Sequence, residues 1–234
     1  MGNRNRRGEL ELIAAAAHEL KTPLTIVHGV SAMLASEAFG ALNDRQQEQI
    51  EHIRRAGNRM NALVESLLHV ENLPYTQDIR PVQLHSELQA VIDELSSTAQ
   101  QRDVSVRWQT RRTLPPVLID ASSSYQLLSH ALAAVIKQVP SGSEVVVRTR
   151  RRGDMVVVRI DAPGEPITPK ELNRIEHTVG KQMQPVGAYG STGLSWYIVK
   201  SIISFYEGKL GVSPRSDYTV ISLRIPISNQ LSLF

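Results

Sequence analysis

The stretch that most limits what this chain can fold into lies near its start. Between Gly8 and Ser36 only Pro23 and Gly29 interrupt a helix-compatible sequence. Leu12, Ile13, Ala16, Leu20, Leu24, Val27 and Leu34 recur there at spacings of three and four, the pattern of an amphipathic helix. Pro23 removes one backbone donor, which predicts a local kink rather than a stop. Ala38-Phe39-Gly40-Ala41 reads as a turn, and Asn43 or Asp44 as the N-cap of a second helix. That helix runs to about Asn72, with Ile50, Ile53, Met60, Leu63, Val64 and Leu67 on one side. Two helices so joined form an antiparallel hairpin, and a hairpin offers only one partner to a wide apolar stripe. Pairing with a second copy into a four-helix bundle buries the remainder and predicts a homodimer. Packing of the hairpin against the rest of the chain is the alternative.

Composition removes several function classes. The chain has 234 residues, room for one large domain or two small ones. With 41% hydrophobic and 21% charged residues it is a globular composition rather than a disordered one. It has no cysteine, which excludes a disulfide framework, a thiolate metal site and a cysteine nucleophile. Lys+Arg 26 against Asp+Glu 23 leaves a net charge of only +3, too little for non-specific nucleic-acid binding. No apolar run approaches the roughly 18 residues of a membrane span, and no signal peptide opens the chain. The expectation is a cytoplasmic chain, or the soluble part of a larger protein, without membrane insertion.

Leu73-Pro74-Tyr75-Thr76-Gln77-Asp78 reads as a linker, giving a first domain over 1–73 and a second over 79–234. In the second, helices are predicted at about 84–101 and 122–138, and strands at 104–108 and 117–120. A hairpin follows, 144–150 and 155–161 around a Gly153-Asp154 turn. Helices at about 170–177 and 192–206 and strands at 209–212 and 218–225 complete an α+β order suited to a two-layer sandwich.

The chemistry concentrates in His18-Glu19-Leu20-Lys21-Thr22-Pro23-Leu24. Helical spacing puts His18 and Thr22 at i and i+4 on one face, with Glu19 adjacent. A neutral imidazole is a nucleophile near neutral pH, and a neighbouring carboxylate can hold the proton on its other nitrogen. A surface histidine on an amphipathic helix is the plain alternative, and the chain has seven histidines. The whole string resembles the phosphoacceptor box of sensor histidine kinases, H-E-[LF]-[KR]-[TN]-P-L, carried on the first helix of a dimeric hairpin. The resemblance implies that His18 takes the γ-phosphoryl group of ATP and passes it to an aspartate of a response-regulator receiver domain. It implies that Glu19 assists proton handling. It further implies that Thr22 positions a water in the reverse, phosphatase reaction.

The second domain resembles the ATP-binding domain of the same family, a GHKL-type α/β sandwich, with altered boxes. A gapless match from Asp120 to Lys137 puts the two asparagines of N-x-x-x-N-A-x-K on His130 and Ala134. Positions 130, 134 and 137 share a helical face, opposite Leu128, Leu132 and Val135. Mg²⁺ prefers oxygen ligands, so neither alanine nor histidine is a good substitute, and no metal ligand is expected. Lys137 is expected to meet a phosphate, or else to be a solvated charge. In the first glycine box, D-x-G-x-G, Asp161 is implied to accept the adenine amino group, with Pro163 replacing a glycine and the loop one residue longer. A strand-closing turn aspartate is the alternative. The second glycine box reads Gly190-Ser191-Thr192-Gly193-Leu194-Ser195-Trp196. Gly190, Thr192 and Gly193 match, and their backbone amides at a helix start suit phosphates. Ser195 and Trp196 depart from the pattern, and the lid over about 178–189 lacks the usual phenylalanines, with Glu176 and Val179 near their places. The cluster Arg148, Arg150, Arg151 and Arg152 reads as a solvated sheet edge. The expected function is a two-component histidine kinase core using ATP. A pseudokinase acting as relay, phosphatase or scaffold is the alternative.

Overall fold

The computed structural model describes residues 2–73, 80–110, 114–170, 185–186 and 191–228. The chain falls into two compact units, divided between residues 74 and 75.

The first unit is a pair of helices, α1 (Gly2–Ala35) and α2 (Asp44–Asn72). The helix α1 continues through Pro23. Asn43 caps α2 with a reciprocal box: its side chain accepts from Gln46 N at 2.9 Å, and its own N–H donates to Gln46 Oε1 at 3.0 Å. The buried seam has a seven-residue repeat on both helices, Ala17, Leu24 and Ser31 on α1 and Ile50, Gly57 and Val64 on α2. Ala17, Leu24, Val64 and Leu68 form its core cluster, with Leu67 packed against it. The seam covers only part of the apolar stripe, as expected of a lone hairpin. Leu20, Val27, Val30 and Met33 on α1 and Ile53 and Met60 on α2 stay 42–48% exposed, and Ile26 is 61% exposed. One helix can cover only a strip of another, and the rest of a wide apolar face remains in water.

The second unit is a sheet with helices on one face. Its elements are β1 (Pro81–Val82), α3 (Leu84–Gln101), β2 (Ser105–Thr110), β3 (Val117–Leu118), α4 (Ala121–Gln138), β4 (Glu144–Arg152) and β5 (Met155–Pro163). Then come β6 (Pro185–Val186), β7 (Ser191–Thr192), α5 (Gly193–Phe205), β8 (Lys209–Pro214) and β9 (Tyr218–Pro226). The main sheet has the order β2-β4-β5-β9-β8. Only β2–β4 is parallel within it; the other neighbours are antiparallel. Two short ribbons, β1–β3 and β6–β7, stand apart, and β1 had no counterpart in the sequence reading because two residues carry no periodicity. The helix predicted at 170–177 and the lid at 178–189 lie almost wholly outside the described residues, as does Gly190.

Register and alternation sort the sheet into two faces. Trp108, Val147, Ile160, Ile221 and Val212 form one transverse row. Val147, Ile160 and Ile221 in it are fully buried, as are Leu127, Leu128 and Val135 of α4 and Ile198 and Val199 of α5. This is the helix-covered face. The adjacent row on the opposite face is Gln109, Arg148, Arg159, Ser222 and Gly211.

Candidate functional site

His18, Glu19 and Thr22 all project from α1 as exposed side chains, His18 directly after the buried Ala17. Beside them, Lys21 Nζ reaches Glu65 Oε1 of α2 at 2.8 Å, tying the two helices across the seam. The Thr25 hydroxyl donates to the Lys21 carbonyl at 2.9 Å. Pro23 has no N–H, so the Glu19 carbonyl one turn earlier lacks its helical donor. The segment therefore offers an accessible imidazole, an adjacent carboxylate and a hydroxyl one turn on, all held by a rigid helix. That geometry suits attack on a phosphorus carried by a partner that docks from outside.

In the second unit the expected nucleotide residues are placed less uniformly. Asp120 is the N-cap of α4, accepting from Ser123 N at 2.9 Å, and the Tyr206 hydroxyl donates to its other oxygen. Burial and the Asp120 hydrogen bond push the Tyr206 phenol up to about 12. Asp120 is thus a helix anchor. His130 is partly buried on α4, and desolvation, helped by the Lys137 charge, brings its pKa down to about 4. It is neutral at pH 7. Lys137 is exposed at the C-terminal end of α4, whose last carbonyls accept from Arg102 at 3.1 and 2.9 Å. Ala134 is 1% exposed and carries no oxygen. The donor set at this face of α4 therefore does not fit Mg²⁺. Among the described residues no cluster of three or more His, Asp and Glu could hold a metal ion.

Gly193 begins α5, and Leu194, Ser195 and Trp196 behind it are buried. Trp196, at 1% exposure, is accommodated inside the core rather than displaced outward. Thr192 lies in the short strand β7 directly before Gly193.

Asp161 stands on β5, with Ile160 and Ala162 pointing to the other face. Its two carboxylate oxygens are each taken by an arginine. Arg159 Nε donates to Oδ1 at 2.6 Å, and Arg148 Nη1 of β4 donates to Oδ2. Arg148 also donates to Gln109 at 3.1 Å. The hydrogen bond to Asp161 raises the Arg159 guanidinium above its ordinary value. Arg148 and Arg159 were not singled out as partners of Asp161 from sequence. The signal is the i, i+2 spacing of Arg159 and Asp161 around the apolar Ile160, which puts both on one side of the strand.

Comparison with known proteins accords with this two-part organisation. Residues 9–75 match the His Kinase A (phospho-acceptor) domain. Residues 119–229 match the histidine kinase-, DNA gyrase B- and HSP90-like ATPase family. The chain is 28% identical over 220 residues to an uncharacterized sensor-like histidine kinase of Rhizobium meliloti, covering 92% of this chain and 42% of that protein. It is 25% identical over 239 residues to the cell-division control histidine kinase PdhS of Brucella anthropi, covering 95% of this chain and 22% of the relative. The chain thus spans less than half the length of these curated relatives. Full-length ShkA, solved with AMPPNP, matches with a TM-score of 0.72 at 22% identity, over 93% of this chain and 46% of that one. ThkA, solved in complex with the response regulator TrrA, matches with a TM-score of 0.61 at 20% identity, over 96% and 64%. This chain carries the two domains of a histidine kinase core, a phosphoacceptor helical domain and a GHKL-type ATPase domain. Among the described residues no helix is long and apolar enough to cross a membrane.

Proposed function

We propose that this chain is the phosphotransfer core of a two-component histidine kinase. His18 attacks the γ-phosphorus of ATP, the bond to the β-phosphate bridging oxygen breaks, and ADP leaves. A receiver-domain aspartate then attacks the phosphorus, breaks the N–P bond and frees the imidazole. Glu19 takes and returns the imidazole proton. Thr22 positions a water that hydrolyses the receiver's acyl phosphate. Lys137, Gly190, Thr192 and Gly193 are assigned to the triphosphate. The observation that carries this reading is the exposure of His18, Glu19 and Thr22 together on one helix. The chain works as a homodimer, because Leu20, Ile26, Val27, Val30 and Met33 leave an apolar strip on α1 that a second hairpin would cover.

Incubation with γ-labelled ATP tests the reading. The expected product is an acid-labile, base-stable label on the parent chain and none on His18→Gln. Equal labelling of both would remove His18 from the reaction. Thr22→Ala should accept phosphate normally and slow dephosphorylation of a receiver. Light scattering at tens of micromolar should give twice the chain mass.

One observation favours a second reading, a relay that draws its phosphoryl group from a phosphorylated receiver domain. Ala134 offers nothing to hold Mg²⁺, and charge neutralisation by that ion supplies much of the stabilisation in phosphoryl transfer. Label reaching His18 from a phosphorylated receiver but not from ATP would select this reading.

A further inference from the structure

We infer that the base-reading place of the α/β unit is held by Ala162, and that Asp161 is a structural carboxylate turned away from it. This rests on the nucleotide-binding reading above and specifies which base that site can select. A strand reverses its side chains at every residue, so a displacement of one position moves a group through the sheet to the other face. Ile160 is 0% exposed and Ala162 6%, both on the face that carries the helical core. Asp161, between them, shares the opposite face with Arg159 and Arg148, which occupy both of its oxygens. A carboxylate so clasped has no free oxygen aimed at the helix side, where a ligand between sheet and helices would sit.

The turn after β5 fixes the register independently. Gly164 has φ +107°, a backbone conformation that residues with a Cβ rarely adopt. A Cβ there would also come 2.7 Å from Pro140 Cδ. Gly164 donates its N–H to the Asp217 carbonyl at 3.0 Å. The glycine that this turn requires is therefore residue 164. In D-x-G the acid stands two residues before the glycine, which is position 162. No extra residue is then needed in the loop. Ala162 pairs in register with Thr219, whose hydroxyl accepts from Ile167 N at 2.7 Å, so the chain beyond the turn folds back onto the same face as Ala162.

The methyl side chain of alanine accepts no hydrogen bond. The unit has no carboxylate at that place to receive the exocyclic amino group of adenine, and it takes purine nucleotides by their phosphates without selecting adenine from guanine. Calorimetric titration of the full chain with ATP and with GTP tests this. The parent should hold the two within about threefold of each other. Ala162→Asp should favour ATP over GTP by about tenfold or more, the scale of one hydrogen bond to a charged acceptor. Asp161→Asn should leave the ATP-to-GTP ratio unchanged and lower the thermal midpoint, because Arg148 and Arg159 lose their partner.

An Asp161→Asn chain that stays folded, keeps its midpoint and loses ATP selectively by tenfold would overturn the inference. So would a folded Ala162→Asp chain with no ATP preference, including one that binds neither nucleotide. If Ala162→Asp does not fold, the Asp161→Asn arm decides alone. Failure of the broader phosphotransfer reading looks different: no phosphoryl group reaches His18 from ATP or from a phosphorylated receiver, whatever the purine preference.

Discussion

In the helical unit the residues proposed for chemistry are neighbours in sequence, whereas in the α/β unit they are dispersed over a helix, a strand and a glycine loop. The difference decides how much each tolerates. His18, Glu19 and Thr22 need only a helix to be correctly disposed, and α1 is fixed by its seam residues Ala17 and Leu24, which are not themselves the reactive ones. The α/β site depends on parity along β5, on which side chains α4 presents and on a helix start. A change of one residue at 134 or 162 alters its chemistry, and both positions are buried beside a core that includes Val147, Ile160 and Ile221. In the first unit the reactive residues are thus distinct from those that hold the fold, whereas in the second two site positions lie within the core.

The sharpest way to break this comparison is at His18. His18→Gln should abolish phosphoryl acceptance completely while leaving the helical content of the chain unchanged by circular dichroism. Residual labelling would mean that chemistry in the helical unit is not confined to its motif. The next effect concerns pH. The folded His130 binds a proton only near pH 4, while the unfolded imidazole binds one near 6.5. The unfolded state is therefore favoured progressively as pH falls from 6.5 to 4, and above 6.5 this residue contributes no slope. The full effect is about 3 kcal/mol, and His130→Asn should flatten the urea midpoint of the α/β unit against pH over that window. If the parent and variant slopes coincide, His130 is not the desolvated group described here. Gly164→Ala should destabilise the same unit by about 2 kcal/mol, from its positive φ and the Pro140 contact. A midpoint unchanged in urea would undercut the register argument. The smallest effect falls on the helical unit: Asn43→Ala should lose about 1 kcal/mol with the capping box. Loss of phosphoryl acceptance in that variant would show that the motif depends on more than α1.

Much of this was legible from sequence because it is local. The Asn43 cap, the Gly153-Asp154 hairpin turn and the order of helices and strands follow from residues that act within a few positions of themselves. The helical stripe is wider than one neighbouring helix covers, since periodicity shows which residues are apolar and not which surface each one meets. Leu20 and Val27 belong to the pattern and still face water. The partners of Asp161 were the hardest to see. Arg159 lies on its own strand, but Arg148 comes from β4, and only the pairing register brings the two to one carboxylate. A motif match counts residues along the chain, and it does not record through which side of a sheet they point.

The pairing of β5 with β9 has a consequence for how this chain can change. Pro163 and Tyr218 are register partners, so the chain that leaves the end of β5 comes back, by way of α5 and the edge strand β8, to the adjacent strand β9. The part of it before β8 contains the turn at Gly164, the second glycine box and α5. For such a closed excursion the ordering entropy rises only with the logarithm of its length, by about 0.6 kcal/mol for each doubling. Residues can be gained or lost within it without loosening the β5–β9 ladder that holds its ends. The middle of the sheet thus acts as a clamp around a segment whose length and wording are free to drift, and divergence of the nucleotide boxes leaves the architecture standing.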